Sequence, residues 1–363
     1  MNKKMIVYMA LSGGVDSAVS AYLLKQQGYD VRAVYMKNWT GTHLNLAGEC
    51  NWTYERDDAQ KVAKHLRIPF QVWDFEKEYR KWVIDYFFKE YKNGRTPNPD
   101  VRCNQFVKIP LFFKRALKEG GDYIATGHYA RNKNLQLLNG LDPEKDQSYF
   151  LYTLNQKQLK HLLFPVGELT KKEVRKIAEK IKLPVAKKPD SQGICFVGEV
   201  KVEDFLRTRI KENPGNIVDL KGNILGKHIG LAFYTVGQRH GLGIGSGPWY
   251  AIGRKWKKNI LIVGKLEEQK HLLADSLLAS QDNWSTGIRP KFPFRALARH
   301  RYRHPVFPVI VSKYGKNIRV RFAKKQRAIT PGQSVVFYKE NKDGLICLGG
   351  AVINKVEKKG FSW

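Results

Sequence analysis

The chain has 363 residues, with 64 lysines plus arginines against 33 aspartates plus glutamates, a formal net charge of +31. That length exceeds one typical core and predicts two or three domains, and the charge predicts a large anionic partner, nucleic acid first, rather than a small metabolite alone. Cys50, Cys103, Cys195 and Cys347 are too far apart for a CxxC metal or redox motif, and no signal peptide or apolar run of membrane-spanning length is present, which excludes membrane insertion and a stapled secreted scaffold and predicts a cytoplasmic location.

Met5–Leu11 is an apolar strand pattern that runs into Ser12-Gly-Gly-Val-Asp-Ser17 and then into the helical pattern of Ser17–Leu24. Gly13 and Gly14 allow consecutive N–H groups to face one anion, the following helix adds its positive end, and Ser12 and Ser17 add hydroxyl donors. Val15-Asp16 stands where a Walker loop needs Lys-Ser/Thr, so a lysine on the β,γ-phosphates is not indicated and Asp16 is the candidate contact for Mg²⁺ beside a pyrophosphate. The hexapeptide resembles the PP-loop of ATP pyrophosphatases, which cleave ATP between its α- and β-phosphates.

Further apolar segments at Val31–Met36, Phe70–Phe75 and Tyr123–Thr126 alternate with helical patterns near residues 17–27, 55–66, 76–92 and 105–118. This predicts an α/β domain with a parallel sheet and ligands beyond its carboxyl ends, where both Ser12–Ser17 and Thr126–Tyr129 fall. Helical character resumes at Lys171–Lys182. From about residue 205 the texture changes to short strands and glycine turns, at Ile217–Leu220, Lys227–Val236 and Ile260–Val263. Gly241–Gly247 looks like a dinucleotide loop, but Ser246 and Pro248 occupy the third-glycine positions in its two registers, so it is read as a tight turn. From about residue 280 alternating strands at Phe294–Tyr302, Val306–Ser312, Asn317–Phe322, Ser334–Tyr338 and Leu345–Val352 predict a small antiparallel β-barrel. Expected boundaries are 1–204 for the catalytic domain, 205–279 for a central domain and 280–363 for the barrel. Residues 281–363 hold 18 lysines plus arginines and four acidic residues, a concentration that suits an RNA-binding accessory better than even compositional drift.

The loop Asn93-Gly-Arg-Thr-Pro-Asn-Pro-Asp-Val-Arg-Cys-Asn104 is turn-rich yet carries an acid, a thiol and two arginines. Asp100 is close enough in sequence to serve Cys103 as base or to protonate a leaving group, while Arg102 and a following helix N-terminus would favour the thiolate. A second loop, Lys187–Phe196, puts Cys195 beside Gly193 and a basic pair. Cys50 and Cys347 read as structural.

SGGVDS, YMKNW, GRTPNPDVRCN, TGHYAR, KDQSYFLY, KPDSQGICF, YTVGQRHGLGI and ITPGQSVVFY occur in the order found in tRNA-specific 2-thiouridylases, which the chain resembles over almost its whole length. The resemblance implies ATP-dependent replacement of the C2 oxygen of a wobble uridine by sulfur from a cysteine persulfide, delivered by a donor such as a cysteine desulfurase or a sulfur-relay protein. It implies Cys103 as nucleophile, Cys195 as persulfide carrier and Asp100 as acid/base. Asn98, Pro99 and Asp100 would touch the target base, and Ala10, Leu11, Ser12, Gly13, Gly14, Val15, Asp16, Ser17, Met36 and Gly127 would contact ATP. His128, Lys145, Asp146, Gln147, Arg301, Tyr302 and Gln333 would contact tRNA. Ala10-Leu11 departs from the family's usual Gly-Met, and Thr42–Asn51 is divergent. The chemistry agrees: adenylation turns a poor leaving oxide into AMP, and a persulfide needs a second thiol to reduce the sulfur–sulfur bond. Two rivals are a PP-loop enzyme adenylating a small molecule and a noncatalytic RNA-binding protein. A third alternative, an iron–sulfur cluster on Cys103, Cys195 and Asp100, is left open by spacing.

Overall fold

A computed structural model describes residues 4–40, 52–190 and 201–357. The first unit contains β1 (Ile6–Ala10), β2 (Asp30–Lys37), β3 (Phe70–Asp74), β4 (Tyr123–Ala125), an antiparallel hairpin of β5 (Ala130–Lys133) and β6 (Gln136–Asn139), and β7 (Leu162–Leu163). Strands β3-β2-β1-β4-β7 form one parallel sheet in that order. Val7, Tyr8 and Met9 are all buried, because β1 is covered on both faces; such a strand reads as an unbroken apolar run. Tyr8 packs against Trp73 at 5.3 Å, above the helices of residues 76–118, while Val7 and Met9 share a core with Val19, Ala63 and Val174 on the opposite face.

Helices at Val15–Gln26, Trp52–Leu66 and Lys171–Lys180 lie where the apolar spacing puts them. Two stretches differ from expectation. The 76–92 helix is widened by a π-type turn at Arg80–Ile84. Residues expected as loop before Asn104 are already helical at Pro99–Cys103, continuing through a π-type turn at Asn104–Lys108 into Pro110–Lys118. Asn98 accepts a hydrogen bond from Val101 N–H at 3.1 Å and Pro99 occupies the first turn, so the helix starts early.

A small mixed sheet follows, from β8 (Gly215–Val218), β9 (Ile224–His228), β10 (Tyr250–Lys255) and β11 (Ile260–Gly264), ordered β10-β11-β8-β9. The strand expected over Lys227–Val236 ends at His228: a side chain at Gly230 would meet Asn213 N at 3.2 Å, and the chain turns there into a short 3₁₀ segment at Leu231–Phe233.

The last unit comprises β12 (Leu273–Trp284), β13 (Phe294–Arg299), β14 (Phe307–Tyr314), β15 (Asn317–Arg327), β16 (Ser334–Asn341) and β17 (Gly344–Glu357). These pair in the order β12-β15-β14-β13-β16-β17, and β17 returns to β12, closing an antiparallel barrel around Leu277, Val309, Val311, Val320, Phe337 and Ile353. Closure removes the free edges that a small basic sheet would otherwise expose. β17 also pairs with β6 through Ile346 and Leu138, and the buried Arg299–Asp146 ion pair, 2.9 Å, ties the barrel to the first unit.

Candidate active site

The phosphate loop is folded by its own short side chains. Ser12 N–H donates to Ser17 Oγ at 3.1 Å, and Ser17 Oγ donates to Gly14 O at 3.0 Å. Gly13 has φ +76°, and a side chain there would strike Glu55 O. Gly14 caps the Val15–Gln26 helix without any side-chain cap, leaving the helix N–H groups for an anion. Gly127, just past β4, packs directly on this turn: a Cβ would lie 2.8 Å from Ser17 N. Ala10 pairs in register with Val34, two residues before Met36, so the residues expected to meet ATP gather at one end of the sheet.

Beyond the loop lies a charged cluster of which the sequence reading caught only Asp16 and Lys145. Asp16 Oδ1 accepts from the Tyr129 hydroxyl at 2.8 Å and from Lys171 Nζ at 2.6 Å. Lys171, Lys145 and Arg175 converge on Asp190 at 2.7 to 2.8 Å. Burial alone would raise the Asp190 carboxyl, but hydrogen bonds from Lys145 and Lys171 outweigh it and hold it below the usual carboxylate range. Burial, and then the Asp16 charge, pushes the Tyr129 phenol up, so it stays a donor. One signal for Lys171 was available: a cation in the first turn of a helix opposes the dipole and needs another reason to be there. Asp16 offers Mg²⁺ a hard oxygen ligand at the anion-binding turn. Among the described residues no group of three or more His, Cys, Asp or Glu is arranged for a metal.

Cys103 is 1 % exposed, on the helical stretch that Asn98 caps. Because the chain continues helically past it, the following helix N-terminus expected to favour its thiolate is absent. The Arg102 guanidinium lies 4.1 Å from the centroids of both Tyr86 and Phe106. The segment before this helix is clamped from outside its own domain. Arg95 donates to Ile353 O at 3.2 Å, Thr96 N–H donates to Pro331 O at 2.9 Å, and Gln333 Nε2 donates to Thr96 O and Pro97 O, each at 3.0 Å. From the central unit, Arg254 donates to Gly94 O at 2.7 Å and Thr235 shares a 3.0 Å hydroxyl contact with Thr96. Cys195 and Cys50 lie outside the described residues. Cys347 is fully buried in the barrel, where burial pushes its thiol up to about 12.

Of the residues expected at tRNA, His128 and Asp146 are buried, and Gln147, Arg301 and Tyr302 are half-buried. His128 is buried with Nδ1 2.8 Å from Thr126 Oγ1, and burial lowers its imidazole well below the ordinary value, so it is neutral. Asp146 accepts from Gly140 N–H at 3.1 Å and Ser148 N–H at 3.0 Å as well as from Arg299. Gln147 Oε1 accepts from Tyr129 N–H at 2.9 Å. Arg301 donates to Ala328 O at 2.7 Å, and Tyr302 packs on Phe150 at 4.6 Å.

Three family models cover most of the chain: the tRNA methyl transferase HUP domain over residues 5–199, the tRNA methyl transferase PRC-barrel domain over 203–265, and the aminomethyltransferase β-barrel domain over 274–353. The chain is 48 % identical to the tRNA-specific 2-thiouridylase MnmA of Halalkalibacterium halodurans, across 97 % of this chain and 95 % of that one. It belongs to the tRNA-specific 2-thiouridylase family. The MnmA of Lysinibacillus sphaericus is 46 % identical, with the same shares covered. For a 2-thiouridylase-family chain, the parallel sheet, central unit and closed barrel are the three pieces that the family models divide. No helix among the described residues is long and apolar enough to cross a membrane.

Proposed function

We propose that this protein is a tRNA-uridine 2-sulfurtransferase: it binds ATP at Ser12–Ser17, transfers AMP to the C2 oxygen of the wobble uridine with release of pyrophosphate, and replaces that oxygen by sulfur from a persulfide. The observation that carries the reading is the clamp. The segment leading into the helix that holds Asp100 and Cys103 is anchored by a basic barrel and a basic central unit, the parts suited to RNA.

In this reading the turn's amides and hydroxyls take the phosphates, Gly127 keeps the turn seated, and Mg²⁺ held at Asp16 would supply charge neutralisation on the pyrophosphate. Asn98 to Asp100 would face the extruded base, Asp100 moving the proton and Cys103 acting as nucleophile. A donor such as a cysteine desulfurase or a sulfur-relay protein would load Cys195. Sulfur would leave the Cys195 persulfide for C2, AMP would depart with the former uridine oxygen, and Cys103 and Cys195 would end as a disulfide that an external thiol reduces. Residues 1–204 would supply the chemistry, with 205–279 and 280–363 contacting tRNA through residues that include Arg301, Tyr302 and Gln333. His128, being neutral, would contact tRNA as a hydrogen-bonding group rather than as a cation. Cytoplasm is the compartment that holds tRNA and keeps these thiols reduced.

The test is nucleoside mass analysis of tRNA incubated with the enzyme, ATP, Mg²⁺ and a persulfide donor. We expect 2-thiouridine, AMP and pyrophosphate, with heavy oxygen from labelled C2 appearing in AMP; Cys103→Ser and Cys195→Ser should each abolish thiolation while retaining tRNA binding. ADP as product, or full multiple turnover in Cys103→Ser, overturns the mechanism. A visible iron–sulfur absorption in anaerobically purified protein, lost on Cys103→Ser, would favour the cluster alternative.

A further inference from the structure

The glycine-rich segment Arg239–Trp249 lines an open concavity of about 670 Å³ on the central unit. The segment is shaped by two side-chain anchors and by three of its four glycines. Leu242 and Trp249 are buried anchors, Trp249 Nε1 donates to Gly245 O at 2.8 Å, and Gln238 Nε2 donates to His240 O at 2.9 Å. Gly241 and Gly243 have φ of +74° and +66°, which accounts for them. Gly245 is different: its φ lies outside the left-handed region, and a side chain built on it would meet nothing within 4 Å. Neither conformation nor internal packing calls for glycine there. The bare, unobstructed backbone at Gly245 leaves room for close approach by something outside the chain.

Charge says what that is. Arg239 and His240 are exposed at the concavity, and the sequence holds no acidic residue between Asp219 and Glu267. The segment leads into β10, whose Arg254 holds Gly94 of the clamped stretch. A cationic surface that is open to solvent and free of acidic side chains is what a phosphate backbone requires.

We propose that the Arg239–Trp249 concavity receives the phosphate backbone of the substrate RNA, with the exposed backbone at Gly245 in van der Waals contact with it and Arg239 neutralising one phosphate. This deepens the sulfurtransferase reading and rests on it. The contact positions the RNA without reading its sequence.

The test uses the full-length enzyme and an unmodified tRNA transcript, with affinity measured across a salt series. Gly245→Val has room in the free protein, so its melting temperature should match the parent's while tRNA affinity falls several-fold and ATP affinity stays unchanged. Arg239→Ala should reduce the slope of log K against log salt by about 0.7 to 0.9. Parental tRNA affinity in Gly245→Val with an unchanged slope in Arg239→Ala overturns the proposal. So does a variant that binds tRNA normally but loses turnover only with a protein persulfide donor, which would make the concavity a donor-docking site, or one altered only in KM for ATP. If the parent enzyme itself neither binds nor thiolates tRNA, the sulfurtransferase reading has failed instead.

Discussion

The phosphate loop and the cysteine-bearing segment belong to the same unit, yet they are held in opposite ways. Ser12–Ser17 is fixed by Ser17, Gly127, Glu55 and Tyr129, all from the unit that contains the loop. Residues 94–97, just before the Cys103 helix, are held within their unit by Glu90 and also by Thr235, Arg254, Pro331, Gln333 and Ile353 of the other two units. The phosphate loop is held within its own unit, whereas the segment leading to Cys103 takes part of its anchoring from the other two. ATP binding should therefore survive disturbances of the barrel that thiolation does not.

The largest disturbance of the junction is Asp146→Ala, which strands the buried Arg299 guanidinium and should cost about 3 to 5 kcal/mol of stability in urea unfolding. If Asp146 serves only as a tRNA contact, stability will hold and affinity alone will fall. Striking the other half, Gly127→Val pushes on Ser17 N and should lower ATP turnover about 10²-fold at nearly unchanged tRNA affinity; loss of tRNA binding with normal ATP turnover would break the division of labour. Third comes acid sensitivity on the barrel side. His300 is 1 % exposed with neither ring nitrogen hydrogen-bonded, and burial, helped by His304 and Arg301, pushes it down to about 3. The unfolded chain binds this proton first, so His300 subtracts stability as pH falls from about 6.5 toward 3, by about 2 kcal/mol at pH 5. His300→Phe should remove that loss, seen as a flatter stability profile between pH 7 and about 5; an unchanged profile would mean the proton is taken up elsewhere. The smallest effect is expected from Gln333→Ala, which deletes two hydrogen bonds to the cysteine segment at about 1 to 2 kcal/mol together. Thiolation kcat should drop several-fold with KM for ATP unchanged, and an equal change in both would show that the two halves are not separable.

What the sequence made legible follows the same division. β1 and the phosphate turn are written in a continuous apolar run and in glycines at fixed offsets, which are local signals, while β2 and β3 are apolar only in part. The β5–β6 hairpin was not readable: it is polar, and it turns at Asn134-Leu135, both with positive φ, rather than at the Asn-Gly that usually marks such a turn. Asn98 and Pro99 do carry helix-start signals, but among Pro97 and Gly94 they read as turn. The partners of Arg95, Thr96 and Lys171 lie far along the chain, and no local pattern announces them.

The pairing of β17 with β6 and the anchoring of Arg95 by Ile353 and Asn354 also order events during synthesis. A nascent chain grows from its N-terminus, and domains generally fold as they emerge. The nucleotide turn has all its partners once residue 171 has left the ribosome, whereas the cysteine segment waits for residues 331–354. A chain that stops early would thus fold its phosphate turn while Arg95 and Thr96 still lacked their partners in residues 331–354.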